Sequence, residues 1–194
     1  MVNEPYPPAE DTWQTADAID WLMGSGLINE GDFPIIDVGT GTGILIIRGI
    51  TRALGMGYKP HGIAVDVDLN ALRSTRASLI SEGLYGYVDL INCDTLNCLK
   101  SGIGGIIISN PPYLPGDWHE DWRIYGGTTG RLVIDKLISR ACTDKARYII
   151  LTQSSLSNWE ATVEGLGKCG YKLIVLMRSH YFFEDIVTMI FTAH

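Results

Sequence analysis

Hydrophobic and polar positions follow two periods along this chain. Short apolar runs rich in β-branched residues stand at Ile35–Val38, His61–Val67, Tyr87–Ile91, Ile103–Ile108 and Arg147–Thr152, and read as strands buried on both faces of a parallel sheet. Helical spacing stands between them. Ile44 to Leu54 is mostly apolar, and Leu69, Leu72, Leu79 and Ile80 mark a second helix. Ile134, Leu137, Ile138 and Ala141 mark a third, and Leu156, Trp159, Val163 and Leu166 a fourth. Two further strands are expected at Lys172–Met177 and Ile186–Thr192. Ser179–Asp185 between them is too short for a crossover helix, so these two must pair antiparallel. The pattern predicts an α/β, Rossmann-like, seven-stranded, mostly parallel sheet whose last strand runs antiparallel.

Ahead of the first strand, Pro5, Pro7 and Pro8 keep the chain extended. Asp11 is expected to cap a helix running to about Met23, with Gln14 in the capping-box position and Gly24 and Gly26 ending it.

Composition narrows the function classes. A chain of 194 residues, 46% hydrophobic and 19% charged, is expected to form one domain, residues 1–194, with the segment 1–30 as a helical lid over a ligand. A net charge of −7 disfavours a broad phosphate-binding surface, so nucleic acid is an unfavoured partner. Cys93, Cys98, Cys142 and Cys169 form no C-x-x-C pair and lie near no histidine cluster, which reads as a reduced chain with no metal site. The N-terminal stretch lacks the order of a signal peptide, and no apolar run approaches a membrane span. A soluble, cytoplasmic protein is expected.

The candidate chemistry begins at the end of the first strand. Gly39, Gly41 and Gly43 stand at alternate positions, where a backbone must turn sharply, pass close to a ligand and enter a helix. The dinucleotide fingerprint G-x-G-x-x-G fails here, because Ile44 holds its third glycine position. What stands is acid-x-G-x-G-x-G, with Asp37 two residues before the first glycine. A carboxylate at that strand tip suits a ligand with an ammonium group, such as S-adenosylmethionine (SAM). A ligand-free glycine turn is the plainer alternative.

Further acids follow at successive strand tips. Asp66 ends the second strand, placed to accept from both ribose hydroxyls of an adenosine ligand, and Asp94 follows the third, placed to accept from an adenine amino group. Either is also an ordinary loop aspartate when read alone. The fourth strand delivers Asn110-Pro111-Pro112-Tyr113. The prolines stiffen the segment, holding Asn110 and the Pro111 carbonyl as paired acceptors for an –NH₂ group, with Tyr113 as a face for a planar substrate. Residues 114–130 form a long loop with Trp118 and Trp122, either a substrate lip or tryptophans packed on the body.

With these residues in view, the chain resembles the HemK-like glutamine methyltransferases in their compact eukaryotic and archaeal form. The resemblance rests on Tyr6 to Thr12 (Y-P-P-A-E-D-T), the loop Asp37 to Gly43, Asn110 to Tyr113, and Gly126 to Arg131 (G-G-x-x-G-R). It implies a class I SAM-dependent methyltransferase fold and methylation of the glutamine in the Gly-Gly-Gln motif of a class I translation release factor. It implies SAM as cofactor, held by Thr12, Asp37, Gly39, Asp66, Asp94 and Asn110, with Thr40, Gly41, Gly43, Val67 and Thr95 beside them, and Asn110 to Tyr113 as the catalytic segment. It also implies a small zinc-binding activator subunit. Trp118-His119-Glu120-Asp121-Trp122 has no counterpart in the family pattern.

Rival readings are an adenine or cytosine amino-methyltransferase on nucleic acid, and a protein lysine methyltransferase. A dinucleotide oxidoreductase is opposed by the glycine spacing, and a non-catalytic scaffold by the intact Asn-Pro-Pro-Tyr.

Overall fold

The structure is a computed structural model and describes residues 5–193. The first four residues of the expected lid therefore lie outside the described residues.

Seven strands form one sheet: β1 (Ile35–Val38), β2 (Gly62–Asp66), β3 (Val88–Asn92), β4 (Ile106–Ser109), β5 (Tyr148–Ser154), β6 (Tyr171–Tyr181) and β7 (Glu184–Ala193). Their order is β3-β2-β1-β4-β5-β7-β6. The first five pair in parallel, while β7 pairs antiparallel with both neighbours. The expected mostly parallel sheet with an antiparallel last strand is what forms. The hairpin puts β7 inside the sheet and leaves β6 on the edge. The burial of Ile186 to Phe191 follows from that inner position.

Helices α1 (Glu10–Gly24), α2 (Ile44–Gly55), α3 (Leu69–Ser81), α4 (Leu132–Asp144) and α5 (Trp159–Lys168) cover the two faces. Side chains alternate along each strand, so adjacent residues serve different cores. Ile35, Ile106, Ile108 and Ile150 pack with Ile19 and Leu22 of α1, Ile46 and Ile50 of α2, and Leu79 of α3. Ile36, Ile107, Ile149 and Leu151 pack on the other face with Ile134 and Leu137 of α4 and Leu166 of α5. Each such isoleucine or leucine contributes about 1.5–3 kcal/mol by leaving water.

Helix α1 corrects one expectation. Its N-cap is Ala9, and Asp11 lies inside the first turn. Asp11 is drawn in because its carboxylate takes a buried tertiary partner, described below. Gln14 also turns inward, its Nε2 donating to the Ile186 carbonyl and the Thr188 hydroxyl of β7, both at 3.1 Å. Thr15, Thr152 and Thr188 continue this buried chain at 2.6 and 2.7 Å. Burying the Gln14 amide nitrogen and the three hydroxyls is tolerable because each has a partner, whereas Gln14 Oε1 is buried with none.

The cysteines correct another. Cys93 is bonded to Cys98 and Cys142 to Cys169, so none of the four is free. Packing of α4 on α5 brings Cys142 within 5.1 Å of Cys169 between Cα atoms, although 27 residues separate them. Sequence spacing carries no trace of that approach. No helix among the described residues is long and apolar enough to cross a membrane.

Candidate active site

The sheet order reverses between β1 and β4, and a cavity of about 340 Å³ opens at the carboxyl ends of the strands there. A ligand crevice forms at such a switch point because the two flanking connections run to opposite faces of the sheet. The volume lies within the range of small-molecule sites.

Three strand tips build the near wall. Gly39, Thr40, Gly41 and Thr42 of the β1–α2 loop line it. Gly39 and Gly41 take φ of +77° and +56°, and a Cβ at Gly39 would meet nothing within 4 Å, so the backbone itself faces open space. Asp66 and Val67 follow from β2, and Asp94 and Thr95 from β3. Asp66 Oδ2 accepts from the Gly41 N–H at 3.0 Å and its Oδ1 from the Asp68 N–H at 2.9 Å. Burial holds its carboxyl above the ordinary carboxylate range. Asp94 is more exposed and pairs with Lys136 Nζ at 2.7 Å, another residue of the wall.

Two of the expected ligand residues stand behind this wall. Asp37 and Gly43 are absent from the lining. Asp37 is wholly buried, and its Oδ2 accepts from the Thr40 hydroxyl at 2.8 Å and the Ile46 N–H at 3.2 Å. Its place is a brace between the glycine loop and the first turn of α2. Burial pushes its carboxyl up to about 7, opposed by those two hydrogen bonds and helped by the charge of Asp66. Gly43 is the N-cap of α2 with φ +86°, and a Cβ there would press to 2.9 Å on Thr75. Its absence of a side chain serves packing of α2 on α3.

Asn110, Pro111, Pro112 and Tyr113 all line the far wall. Asn110 Oδ1 is buried with no hydrogen-bond partner. The Tyr113 hydroxyl donates to Asp11 Oδ2 at 2.9 Å, fastening this segment to α1. Glycines behind it permit a close approach. A Cβ at Gly126 would stand 2.5 Å from the Pro112 carbonyl oxygen, and one at Gly130 would overlap that of Tyr113. The Gly126–Arg131 segment is therefore the backing plate of the Asn-Pro-Pro-Tyr turn. Arg131 anchors it through the Ser157 carbonyl at 2.8 Å and Asp135 at 2.9 Å.

The remaining wall comes from the N-terminal segment and two distant loops. Pro5, Tyr6, Pro8, Asp11 and Thr12 lie on it, as do Trp118 and Trp122 with ring centroids 6.4 Å apart. The tryptophans face the cavity, which favours the lip reading over packing on the body. Burial, then the charges of Asp11, Glu10 and Glu184, push the Tyr6 phenol up to about 12. Asp11 and Glu184 are the wall residues that sequence reasoning assigned elsewhere. Asp11 sits in the recognised Y-P-P-A-E-D-T segment, but nothing local marks Glu184, in a stretch read as a connection.

No protein-family model matches the chain. It is 24% identical, over 198 residues covering 96% of this chain and 90% of the relative, to a protein of Methanocaldococcus jannaschii provisionally named a protein N5-glutamine methyltransferase. It is 28% identical over 160 residues to the release factor glutamine methyltransferase of Bifidobacterium longum. That match takes in 71% of this chain, which spans about half (51%) of the bacterial enzyme's length. Both of these relatives carry the name of a glutamine methyltransferase. Among solved structures, the Mtq2–Trm112 complex of E. cuniculi, described as responsible for methylation of the eRF1 translation termination factor, aligns over 100% of both chains. Its TM-score is 0.73 at 22% identity, which establishes the shared class I methyltransferase fold.

Proposed function

We propose that this protein is a HemK-like methyltransferase that transfers a methyl group from SAM to the side-chain amide of the glutamine in a Gly-Gly-Gln loop of a translation release factor. The observation that carries the reading is Asn110 Oδ1, a buried acceptor left without a partner in a cavity wall at the tip of β4. Leaving such a group unmatched costs about 1–3 kcal/mol, which an N–H donor from a ligand recovers. A primary amide brings two N–H groups on one nitrogen, enough for Asn110 Oδ1 and the Pro111 carbonyl together.

The residues present fit SAM. The open face at Gly39 and Gly41 admits a ligand against the backbone, and Asp66 at the tip of β2 retains lone pairs for ribose hydroxyls beyond its two backbone bonds. Thr12, Thr40, Val67, Asp94 and Thr95 complete that side of the cavity. Asp37 and Gly43 act one layer back, by holding the loop in shape. When bound, the cofactor supplies an electrophilic methyl group.

The protein's own part is orientation. An amide nitrogen is a poor nucleophile, since its lone pair is delocalised into the carbonyl. Acceptance of its hydrogens by Asn110 and Pro111 favours the polarised amide and fixes its direction, and Tyr113 gives the planar group a face. Tyr113 is itself fixed by Asp11. The N-terminal segment and α1, acting as a lid within one domain, shut the cavity beside them. The setting is the cytoplasm, where release factors act. A small activator subunit is expected as partner, on the pattern of the Mtq2–Trm112 complex, with bound zinc as its anticipated feature.

The test is mass spectrometry of a class I release factor after incubation with SAM and the protein, with and without such an activator. A mass increase of one methyl on the Gly-Gly-Gln glutamine is the expected result. Methylation of an oligonucleotide or a histone lysine instead, with the release factor untouched, overturns the substrate.

A further inference from the structure

The β6–β7 hairpin reaches further than the sheet it completes. Pairing of β5 with β7 ends at Ser154↔Ile186, whereas β6 and β7 stay paired through Tyr181↔Glu184. The hairpin thus overhangs the carboxyl end of the parallel strands, the side on which the cavity opens. Its base is held firmly. Asp185 accepts from His180 at 2.7 Å and pairs with Arg178, and its N–H donates to Ser155 Oγ at 3.0 Å.

Its tip is unlike its base. Phe182 and Phe183 are 95% and 75% exposed. Phe182 has φ +48°, a conformation costing a bulky residue about 1–3 kcal/mol and retained mainly where function requires it. Glu184, which follows Phe183, turns back into the cavity wall, where its Oε2 is buried with no hydrogen-bond partner. Its charge reaches the hydroxyls of Tyr6 and Tyr113, which places it at the acceptor end of the cavity.

We infer that the hairpin tip is the specificity element for the protein substrate. Glu184 accepts a backbone N–H of the loop carrying the acceptor glutamine, and Phe182 and Phe183 clasp the apolar stem of that loop outside the cavity. This rests on the release-factor reading above. Three observations favour a polypeptide occupant. An unpaired carboxylate oxygen calls for an N–H donor, which a glycine-flanked loop presents without a side chain in the way. Glu184 and Asp11 together repel a phosphate backbone. A pair of exposed phenylalanines directly preceding a residue of the cavity wall marks a docking lip.

Steady-state methylation of the release factor, with the activator if one is required, and calorimetric titration of SAM test the inference in E184A, E184Q and F182S/F183S. Removing a charge-assisted hydrogen bond is expected to lower kcat/KM for the release factor at least tenfold in E184A, with the Kd for SAM within twofold of the parent. E184Q keeps an acceptor oxygen and recovers most of the loss. F182S/F183S raises KM for the release factor at least fivefold and leaves methylation of a short Gly-Gly-Gln peptide unaffected. Unchanged kcat/KM in both E184A and F182S/F183S overturns the inference while the substrate reading stands. A parent protein that never methylates the release factor overturns both.

Discussion

The hydroxyl of Tyr113 donates to Asp11 Oδ2 across 2.9 Å, joining residues 102 positions apart. This bond ties the Asn-Pro-Pro-Tyr turn to the first turn of α1, and so couples the two walls of the cavity. Burial and the Asp11 charge push the phenol far above its ordinary value, so the hydroxyl keeps the proton it donates.

Tyr113→Phe should therefore destabilise the fold by about 1–3 kcal/mol, since Asp11 keeps its buried oxygen but loses the donor. Asp11→Asn in the same background should cost less than it does alone. Denaturant unfolding of the two single variants and the double variant measures this coupling. Additive losses would mean the two groups do not interact.

A second prediction follows from Asp37. Folded, its carboxyl titrates near 7; unfolded, it returns to 3.8. Between these values the folded protein holds a proton that the unfolded chain has released. Stability should accordingly fall as pH rises through that window, by up to about 1.4 kcal/mol per pH unit, and level off above it. Asp37→Asn should remove that slope. Parallel unfolding curves for the two proteins across the window would show that Asp37 ionises as an ordinary carboxylate.

The fold was largely legible in the sequence, the site only in part. Fully buried parallel strands announce themselves as short β-branched runs, and all seven strands were expected. The far end of β6 reads as a connection, because Arg178, Ser179 and His180 carry polar side chains and the pairing of His180 and Tyr181 with β7 runs beyond the end of β5. Asp37 and Gly43 were recognised as belonging to the loop, but spacing cannot tell a residue that faces a ligand from one that braces the backbone behind it. Asp11 was read as a local cap because its true partner lies on β4's far side in sequence. Glu184 was missed for the same reason: long-range placement leaves no local periodicity.

Gly130 gives a third prediction. Its φ is +70°, and an added methyl would overlap the Tyr113 carbonyl oxygen and sit 3.0 Å from Ser157 Cβ. Gly130→Ala should cost more than about 1 kcal/mol of stability, because both the backbone and the contact object. The displaced turn should also lose methyl transfer before it loses SAM. A variant with normal turnover would show that the glycine segment is not what sets the turn.

The disulfide between Cys142 and Cys169 supplies a fourth. It closes a loop of 27 residues, and on chain-entropy grounds such a link stabilises by roughly 3–4 kcal/mol. Cys142→Ser should lower the unfolding free energy by an amount of this order, and a reductant should do the same to the parent protein. Thiol labelling of the unreduced, unfolded chain should find no free cysteine. Labelling at all four would return the chain to the reduced state that its spacing suggests.

The last prediction separates holding the cofactor from orienting the acceptor. Asp66 reaches the cavity from β2 and Asn110 from β4, on opposite sides of the β1 tip. If Asp66 accepts from ribose hydroxyls, Asp66→Ala loses a charge-assisted pair, roughly 1.5–3 kcal/mol, and weakens SAM about ten- to a hundred-fold. Asn110→Ala should behave in the opposite way. It removes the unpartnered oxygen proposed to receive the acceptor amide, so methyl transfer should fall below detection while SAM binding stays within about tenfold, or roughly 1.4 kcal/mol. The contrast is the point of the pair, because a general loss of folding would depress both measurements in both variants. Calorimetric titration of SAM beside single-turnover methylation of the release factor reads the two effects separately. Near-normal turnover in Asn110→Ala would remove the Asn-Pro-Pro-Tyr turn from the chemistry, and unaltered SAM affinity in Asp66→Ala would remove β2 from the cofactor site.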